Sequence, residues 1–285
     1  MKFIKKAVAI SLVALTLTFM VSFSASALTT YIGDFGYQLD GTTYEATIVN
    51  YVGSAAEPVI PSNVYGYEVT KISSSVFSDN KAIKKIEIPS SVQTIGDYVF
   101  SNCTSLEEAI IPSSVTTLGK GIFSGCSALN KASINASVSV LPQSIFYNCT
   151  ALSNVTLSDT ISGYGNYAFY NCTSLKSMTI PRAVNSIADT AFSGADSVKI
   201  YCFKDSYAHT FAESKGISYV LFQTGDVNLD TRVDINDATA IQMYIAGLLN
   251  LSDDSLSLAD VNGDNAILVT DATELQKALV GLVTL

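Results

Sequence analysis

The sequence has few of the residues on which common catalytic and nucleic-acid-binding sites are built. Of its 285 residues one is histidine (His209), none is tryptophan, and only 14% are charged. A single histidine excludes sites that need several imidazoles. Lys and Arg number 16 against 25 Asp and Glu, a net charge of −9, so we expect no nucleic-acid partner. Hydrophobic residues make up 48% of the chain, which excludes a disordered protein.

Long apolar runs are also missing, except at the start of the chain. The apolar residues 7–23 follow Lys2, Lys5 and Lys6 and precede Ala25-Ser26-Ala27. A basic start, an apolar run and an A-x-A site predict a secretory signal peptide over residues 1–27. The competing interpretation, a membrane anchor, is disfavoured because the run is short for a span. Removing the three lysines takes the net charge from −9 to −12, and we expect a secreted chain without a membrane partner.

A repeat of 23 residues runs through the middle of the chain. Three columns of Ile, Leu or Val keep the same spacing as a column of phenylalanines. The phenylalanines are Phe77, Phe100, Phe123, Phe146, Phe169 and Phe192. A fixed period of this length indicates a solenoid of leucine-rich-repeat type, in which stacked turns bury a continuous core. Alternation in residues 85–88 and 177–180 predicts one strand per repeat, about 4.8 Å from the next.

The repeat unit resembles the BspA-type leucine-rich repeat. The resemblance rests on segments such as residues 88–106, Ile-Pro-Ser-Ser-Val-x-x-Ile-Gly-Asp-x-x-Phe-Ser-Asn-Cys-Thr-Ser-Leu, and covers roughly residues 28–222. It implies an N-terminal cap and first strand region over residues 28–76 and repeats over residues 77–200. A partly helical C-terminal cap and a linker follow over residues 201–224. Both caps are needed because an open solenoid end exposes core and strand edge.

Four of the five cysteines share one column, three residues after a phenylalanine. They are Cys103, Cys126, Cys149 and Cys172, and the fifth is Cys202. A secreted chain invites a disulfide interpretation, but an odd count argues against full pairing. The column begins with Asn80 and ends with Ala195, so it selects small residues. We therefore expect buried thiols that pack as small apolar groups.

Two sets of residues are candidates for a ligand-binding surface on the solenoid. The outward strand positions are Glu87, Ile110, Ser133, Thr156 and Thr179, and the tyrosines near the turns are Tyr98, Tyr147, Tyr164, Tyr167 and Tyr170. Exposed tyrosine on a rigid surface suits contact with a protein or a glycan. The competing interpretation is that these tyrosines fill space at the margin of the core.

The last 61 residues carry a second duplication and ten acids against two bases. Residues 226–237 and 260–271 both read D-x-N-x-D-x-x-hydrophobic-x-x-x-D. A twelve-residue calcium loop supplies oxygen ligands from positions 1, 3, 5, 7, 9 and 12. The predicted ligands are the side chains of Asp226, Asn228, Asp230, Asp234, Asp237, Asp260, Asn262, Asp264 and Asp271 and the carbonyls of Arg232 and Ala266. We expect one Ca²⁺ in each loop, since each copy precedes an amphipathic segment, residues 238–248 and 272–282.

Residues 225–285 resemble a dockerin, the duplicated loop–helix module that attaches enzymes to cellulosomes. Like dockerins, they lack the incoming helix and the position-6 glycine of a full EF-hand. The resemblance implies a small all-α, calcium-dependent domain that binds a cohesin domain of a scaffoldin. It also implies that loop positions 10 and 11 and the following helix contact the cohesin. The residues so assigned are Ile235, Asn236, Gln242, Met243, Val269, Thr270, Gln276 and Lys277.

Together these patterns predict an α+β chain with a solenoid of about six 23-residue repeats followed by a dockerin. The favoured interpretation is a non-catalytic secreted binding protein of a cell-surface cellulosome, whose solenoid presents a protein- or glycan-binding surface. One alternative is a dockerin-bearing carbohydrate-active enzyme, which would need two carboxylates about 5–9.5 Å apart in a cleft. The acids of residues 28–224 share no column, and His209 reads as a cap or surface residue. The other alternative is a protease inhibitor, which the sequence neither supports nor excludes.

Overall fold

A computed structural model describes residues 29–264 and 266–285 as a solenoid of about eight turns followed by a helical region. The predicted signal peptide, residues 1–27, lies outside the described residues. The strands are β1 Thr30–Ile32, β2 Phe35–Asp40, β3 Glu45–Tyr51, β4 Asn63–Val64, β5 Tyr67–Ile72, β6 Lys85–Glu87, β7 Thr94–Ile95, β8 Glu108–Ile111, β9 Thr117–Leu118, β10 Lys131–Ile134, β11 Val140–Leu141, β12 Asn154–Leu157, β13 Gly163–Tyr164, β14 Ser177–Thr179, β15 Ser186–Ile187, β16 Lys199–Phe203 and β17 Tyr219–Phe222. The helices are α1 Tyr207–Lys215, α2 Ile235–Ile245, α3 Asp253–Ala259 and α4 Val269–Leu279.

Each repeat turn contributes two strands, and like strands of successive turns pair in parallel. The predicted strand forms the ladder β6–β8–β10–β12 and a second ladder β14–β16–β17. Its register keeps the 23-residue column, so that Lys131 lies opposite Glu108 and Asn154. The sequence analysis missed the second strand of each turn. These strands, β7, β9, β11, β13 and β15, are two residues long and form the ladders β5–β7–β9 and β11–β13–β15. Two residues cannot display alternation, which is why the pattern carried no signal there.

The phenylalanine column forms a stack of rings along the core. Successive ring centroids lie 5.0 to 5.7 Å apart, with interplanar angles of 9° to 23°. Tyr51 continues the stack at the N-terminal end, 5.0 Å from Phe77, and Phe211 of α1 closes the other end, 6.2 Å from Phe192. Both caps therefore complete the aromatic stack, which agrees with the expected need to cover the ends of the core.

The cysteine column lies beside this stack and is tied to it by hydrogen bonds. Each thiol donates to the carbonyl of the phenylalanine 26 residues earlier, as Cys126 does to Phe100 at 3.0 Å and Cys149 to Phe123 at 3.0 Å. All five cysteines are free and buried, as predicted. A hydrogen-bonded thiol fits this column because it is small and can satisfy a buried carbonyl.

We expect these thiols to resist chemical modification in the folded protein. Burial raises the pKa of Cys172 to about 12 and that of Cys202 to about 11. Because the thiolate is the reactive species, the neutral thiols should not react with Ellman's reagent at mildly alkaline pH. All five should react once the chain is unfolded in guanidinium chloride, which serves as the control. Prompt reaction of any thiol in the native chain would contradict the buried column.

The helical region differs from the prediction at the helix boundaries. Helices α2 and α4 begin three residues before the predicted starts, because Asp237 and Asp271 each accept a hydrogen bond from the residue that precedes the helix, at 2.8 Å in both cases. Gly247 and Gly281 then adopt left-handed conformations, φ 70° and 75°, just past the helix ends. Leu248 and Leu282, the last residues of the two predicted amphipathic segments, consequently fall outside the helices and are each 73% exposed. Helix α3 was not predicted.

The helical region packs directly on the C-terminal cap of the solenoid. Leu258 of α3 is buried against Phe203 and Phe222 of the two last strands, with Leu229 beside them. The guanidinium of Arg182 lies 4.6 Å from the ring centroid of Phe203, and the backbone N–H of Arg182 donates to Asp254 at 3.3 Å. Gly225, the first residue of the predicted dockerin, donates to the Leu258 carbonyl at 2.9 Å. These contacts hold the start of the first acidic loop against the solenoid.

Candidate calcium loops and interaction surfaces

The first acidic loop is ordered by hydrogen bonds from backbone N–H groups to its own side chains. Asp226 accepts from Asp230 and Thr231, both at 3.0 Å. Asn228 accepts from Asp230 at 2.9 Å, and Asp230 accepts from Arg232 at 2.9 Å. These bonds tie the side chains at positions 1, 3 and 5 to the backbone of the same loop.

Position 12 closes the same loop from helix α2. One carboxylate oxygen of Asp237 accepts from Val227 at 2.9 Å and Asn228 at 3.0 Å, and the other accepts from Asp234 at 2.8 Å. Asp234 in turn caps the helix by accepting from Asn236 at 2.7 Å. The predicted position-9 ligand therefore acts in the structure as the N-cap of α2.

The second loop repeats these bonds at the equivalent positions. Asp260 accepts from Asp264 at 3.0 Å, Asn262 accepts from Asp264 at 2.9 Å, and Asp264 accepts from Ala266 at 2.9 Å. Asp271 accepts from Val261 at 2.9 Å and from Leu268 at 2.8 Å. Leu268 has no side-chain oxygen, so the second loop lacks a position-9 donor as the sequence indicates.

The chemistry of the donor set fits a hard divalent cation. Asp226, Asp237 and Asp271 are completely buried, yet none forms an ion pair with Lys, Arg or His within the described residues. Burial, followed by the charge of Asp237, raises the pKa of Asp226 to about 6. Buried carboxylates without a cation are unfavourable, and carboxylate, amide and carbonyl oxygens are the ligands that calcium takes. The loop residues therefore suit Ca²⁺.

The carboxylates do not converge on one point in the structure. In residues 29–264 and 266–285, no group of three His, Cys, Asp or Glu side chains is arranged to hold a metal ion. The loop carboxylates instead accept backbone N–H groups, as described above. Both oxygens of Asp226 and one oxygen each of Asp237 and Asp271 accept a single backbone N–H group, so these oxygens keep a lone pair for an ion.

The predicted cohesin-contacting residues lie mostly on the open surface of the helical region. Ile235 and Asn236 begin α2 and are exposed, and Val269 and Thr270 occupy the same places on α4. Two turns further, the exposed residues are Gln242 and Met243, whereas their counterparts Gln276 and Lys277 are half-buried. The Lys277 Nζ atom forms an ion pair with Glu274 Oε1 at 2.8 Å, on the same helix. The two halves thus present related but unequal surfaces.

Several apolar residues at the ends of these helices are exposed, which the sequence analysis did not predict. Leu248, Val280 and Leu282 are 71% to 73% exposed, and Ile245 and Leu279 are more than one-third exposed. Leu248 and Leu282 ended the predicted amphipathic segments, and the earlier helix ends place both outside the helices.

The candidate tyrosines of the solenoid separate into three environments. The Tyr147 ring stacks on Tyr170, with centroids 4.6 Å apart and an interplanar angle of 7°, and Tyr167 lies edge-on to Tyr170 at 5.7 Å. Tyr98 has a different neighbour, and its ring centroid lies 5.8 Å from the Nζ atom of Lys120. Tyr164 is only 3% exposed and fills core space, as the competing interpretation had it.

Of the outward strand positions, Glu87, Thr156 and Thr179 are exposed and Ile110 and Ser133 are half-buried.

Comparison with known families identifies both parts of the chain. Residues 70–199 match the BspA type leucine rich repeat region in six copies, and residues 224–280 match the dockerin type I domain. The chain joins a BspA-type leucine-rich repeat region to a dockerin type I domain. Both predicted resemblances and the predicted fold class are thereby confirmed.

Solved structures of bacterial repeat proteins resemble the chain. A leucine rich cell surface protein from Faecalibacterium prausnitzii is 28% identical with a TM-score of 0.51, and the match covers 65% of this chain and 56% of that one. A leucine-rich repeat protein from Eubacterium ventriosum is 26% identical with a TM-score of 0.43, covering 55% of this chain and 49% of that one. The chain thus spans little more than half the length of the first of these relatives. No curated protein matches the sequence.

The two domain types restrict what the chain does. Dockerin type I domains bind calcium, and their partner is a cohesin. The leucine-rich repeat solenoid is a non-catalytic kind of domain, and both domains are typical of extracellular or cell-surface proteins. No helix among the described residues has the length and apolar character needed to cross a bilayer.

Proposed function

We propose that the chain is a secreted, non-catalytic binding protein of a cellulosome. Its dockerin binds a cohesin on a scaffoldin after taking up two calcium ions, one per loop. Asp226, Asn228, Asp230, Asp237 and the Arg232 carbonyl would hold the first ion. Their equivalents Asp260, Asn262, Asp264, Asp271 and the Ala266 carbonyl would hold the second.

The observation that carries this proposal is the matching hydrogen-bond pattern of the two loops. Position 12 accepts from position 2 at 2.9 Å in both loops, through Asp237 and Asp271. Burying the carboxylates of two such loops costs folding free energy unless a cation occupies each loop. We also propose that the solenoid presents a protein- or glycan-binding surface. The cluster of Tyr147, Tyr167 and Tyr170 supports this part of the proposal.

The test is capture of the full mature chain by a panel of immobilised cohesins, with calcium and with chelator. Calcium-dependent capture by at least one cohesin supports the proposal. Equal capture with and without calcium, or no capture by any type I cohesin, would contradict the proposal.

Equivalent substitutions in the two halves should have unequal effects on capture. Ile235→Asp and Val269→Asp each place a charge on an exposed helix start, 57% and 63% exposed respectively. Because the neighbouring residues differ, Met243 against Lys277 above all, we expect only one substitution to weaken cohesin binding, by about tenfold or more, equivalent to about 1.4 kcal/mol.

Surface plasmon resonance on the cohesin that captures best measures this difference. Asn185→Asp, an exposed solenoid change, is the matched control for added charge. If each substitution is silent alone and only the double variant loses binding, the two halves are interchangeable and the prediction is wrong.

A further inference from the structure

The main strand ladder of the solenoid is interrupted at one place. Strand β12 ends the sheet β12–β10–β8–β6, and strand β14 begins the sheet β14–β16–β17. The two strands belong to successive turns, and every other neighbouring pair from β6 to β16 is joined. Two strand edges therefore face each other without being paired. Unpaired edges carry free N–H and C=O groups that can pair with another strand.

The interruption opens a cleft into the core. Val155 and Leu157 of β12 are only half-buried, although Ala132 and Ile134 in the same columns of β10 are completely buried. The cleft has a volume of about 620 Å³, and residues of both strands line it. That volume lies within the range of roughly 300–1,000 Å³ that is usual for ligand sites.

Tyr164 lines this cleft and departs from the repeat pattern. It occupies the column that Ile95, Leu118, Leu141 and Ile187 fill in the other turns. Its larger ring lies edge-on to Phe169 at 6.0 Å and to Phe192 at 6.3 Å, and it lines the cleft. An aromatic ring in place of a branched aliphatic side chain adds volume between the strands, and overfilled cores respond by moving the backbone.

The hydroxyl of Tyr164 also lacks a partner. The residue is 3% exposed, and burial alone raises the pKa of its hydroxyl. That hydroxyl forms no hydrogen bond with the residues that the structure describes. Unlike the hydroxyl of Tyr51, it is not sealed inside the protein. A buried polar group without a partner is unfavourable, so this hydroxyl is a ready donor or acceptor for a ligand in the cleft.

The dockerin contributes one part of the wall. Leu229, Asp230 and Thr231 of the first calcium loop line the cleft together with Tyr201 of β16. The strand edges thus border a cleft at the junction of the two domains. Binding sites form preferentially at such domain junctions.

We propose that this cleft binds a short extended peptide segment of a partner protein, which enters as an additional strand between β12 and β14. Its backbone would pair with both edges, the mode known as strand addition. Its inward side chains would meet Val155, Leu157, Met178 and the Tyr164 hydroxyl, so alternate positions should be small and apolar. The other face would meet Thr156 and Thr179, which tolerate polar residues. The proposal deepens the protein-binding part of the proposed function and rests on it.

The probe is a capped hexapeptide with the sequence of residues 130–135, Asn-Lys-Ala-Ser-Ile-Asn. This segment contains β10, which pairs in parallel with a strand on each side, β8 and β12. Binding to the full mature chain would be measured by calorimetry, and the site by amide hydrogen exchange. The control is the same peptide N-methylated at alternate residues, which removes the donors toward one edge.

We expect saturable binding that slows exchange of the amides in residues 153–158 and 177–180. N-methylation should weaken binding by about tenfold or more, equivalent to about 1.4 kcal/mol. Tyr164→Ile restores the residue found at Ile95 and Ile187, so it should fold, close the cleft and weaken binding at least as much. Tyr164→Phe keeps the ring and should weaken binding less than Tyr164→Ile.

Absence of saturable binding would overturn the proposal, as would unchanged binding in Tyr164→Ile. Protection of the same amides by cellohexaose but not by the peptide would make the cleft a glycan site and overturn it equally. Cohesin capture should be unaffected by Tyr164→Ile. Failure of the peptide test is therefore distinguishable from failure of the dockerin assignment.

Discussion

Removal of calcium is expected to unfold the dockerin while the solenoid stays folded. Residues 225–285 carry ten acids and two bases, and Asp226, Asp237 and Asp271 are completely buried. Free calcium at about 100 times its dissociation constant stabilises a folded site by about 2.7 kcal/mol, so two sites supply about 5 kcal/mol. A helical domain this small has little stability beyond that amount. Chelation should therefore remove the helical circular dichroism of α2 and α4 and abolish cohesin capture.

Amide hydrogen exchange with and without chelator would localise the effect. The core around Ile241 and Leu275 is separate from the solenoid core, so protection should vanish there and persist around the phenylalanine stack. Strand β17 should loosen as well, because Phe222 packs on Leu258. Asp226→Ala combined with Asp260→Ala should reproduce the loss in the presence of calcium, whereas Asp196→Ala on the solenoid should not. Full protection of α2 and α4 in chelator would show that the dockerin folds without the ion.

Truncation of one ring in the middle of the phenylalanine stack is expected to destabilise the whole solenoid. Phe123 is completely buried and lies 5.7 Å from both Phe100 and Phe146. Replacing a buried Phe by Ala costs about 3–5 kcal/mol through lost transfer energy and the cavity left behind. In a solenoid the loss acts on both neighbouring turns, because each turn contacts only its neighbours.

Urea unfolding of the full chain in calcium would measure this change in the free energy of unfolding. Phe123→Leu keeps most of the apolar volume and serves as the graded control, with a smaller loss. Phe192→Ala at the end of the stack should cost less than Phe123→Ala, since Phe192 is 5% exposed and faces the cap. A loss below about 1 kcal/mol for Phe123→Ala would mean that the core collapses around the cavity and that the stack is not rigid.

The repeat and the calcium loops were readable from the sequence because each is a local pattern that recurs. Six phenylalanines at one spacing predicted the stack, the capped solenoid and the buried cysteine column. The duplicated D-x-N-x-D segments predicted both loops and the helices after them. Repetition supplies the statistical weight that a single motif lacks, since every copy must satisfy the same neighbours. The predicted ligands and cohesin-contacting residues themselves stay predictions until ions and cohesin are bound.

Other features were decided only by the tertiary structure. The two-residue strands form because neighbouring turns bring them into register, and the exposure of Leu248 and Leu282 follows from where α2 and α4 end. The docking of Leu258 on Phe203 and Phe222 joins residues far apart in the chain. The gap between β12 and β14 opens into a cleft that Tyr164 lines, at a position where the other repeats have an aliphatic residue. The sequence determined the columns and the loops, because those depend on spacing along the chain; departures of one turn from the repeat depend on packing against distant residues.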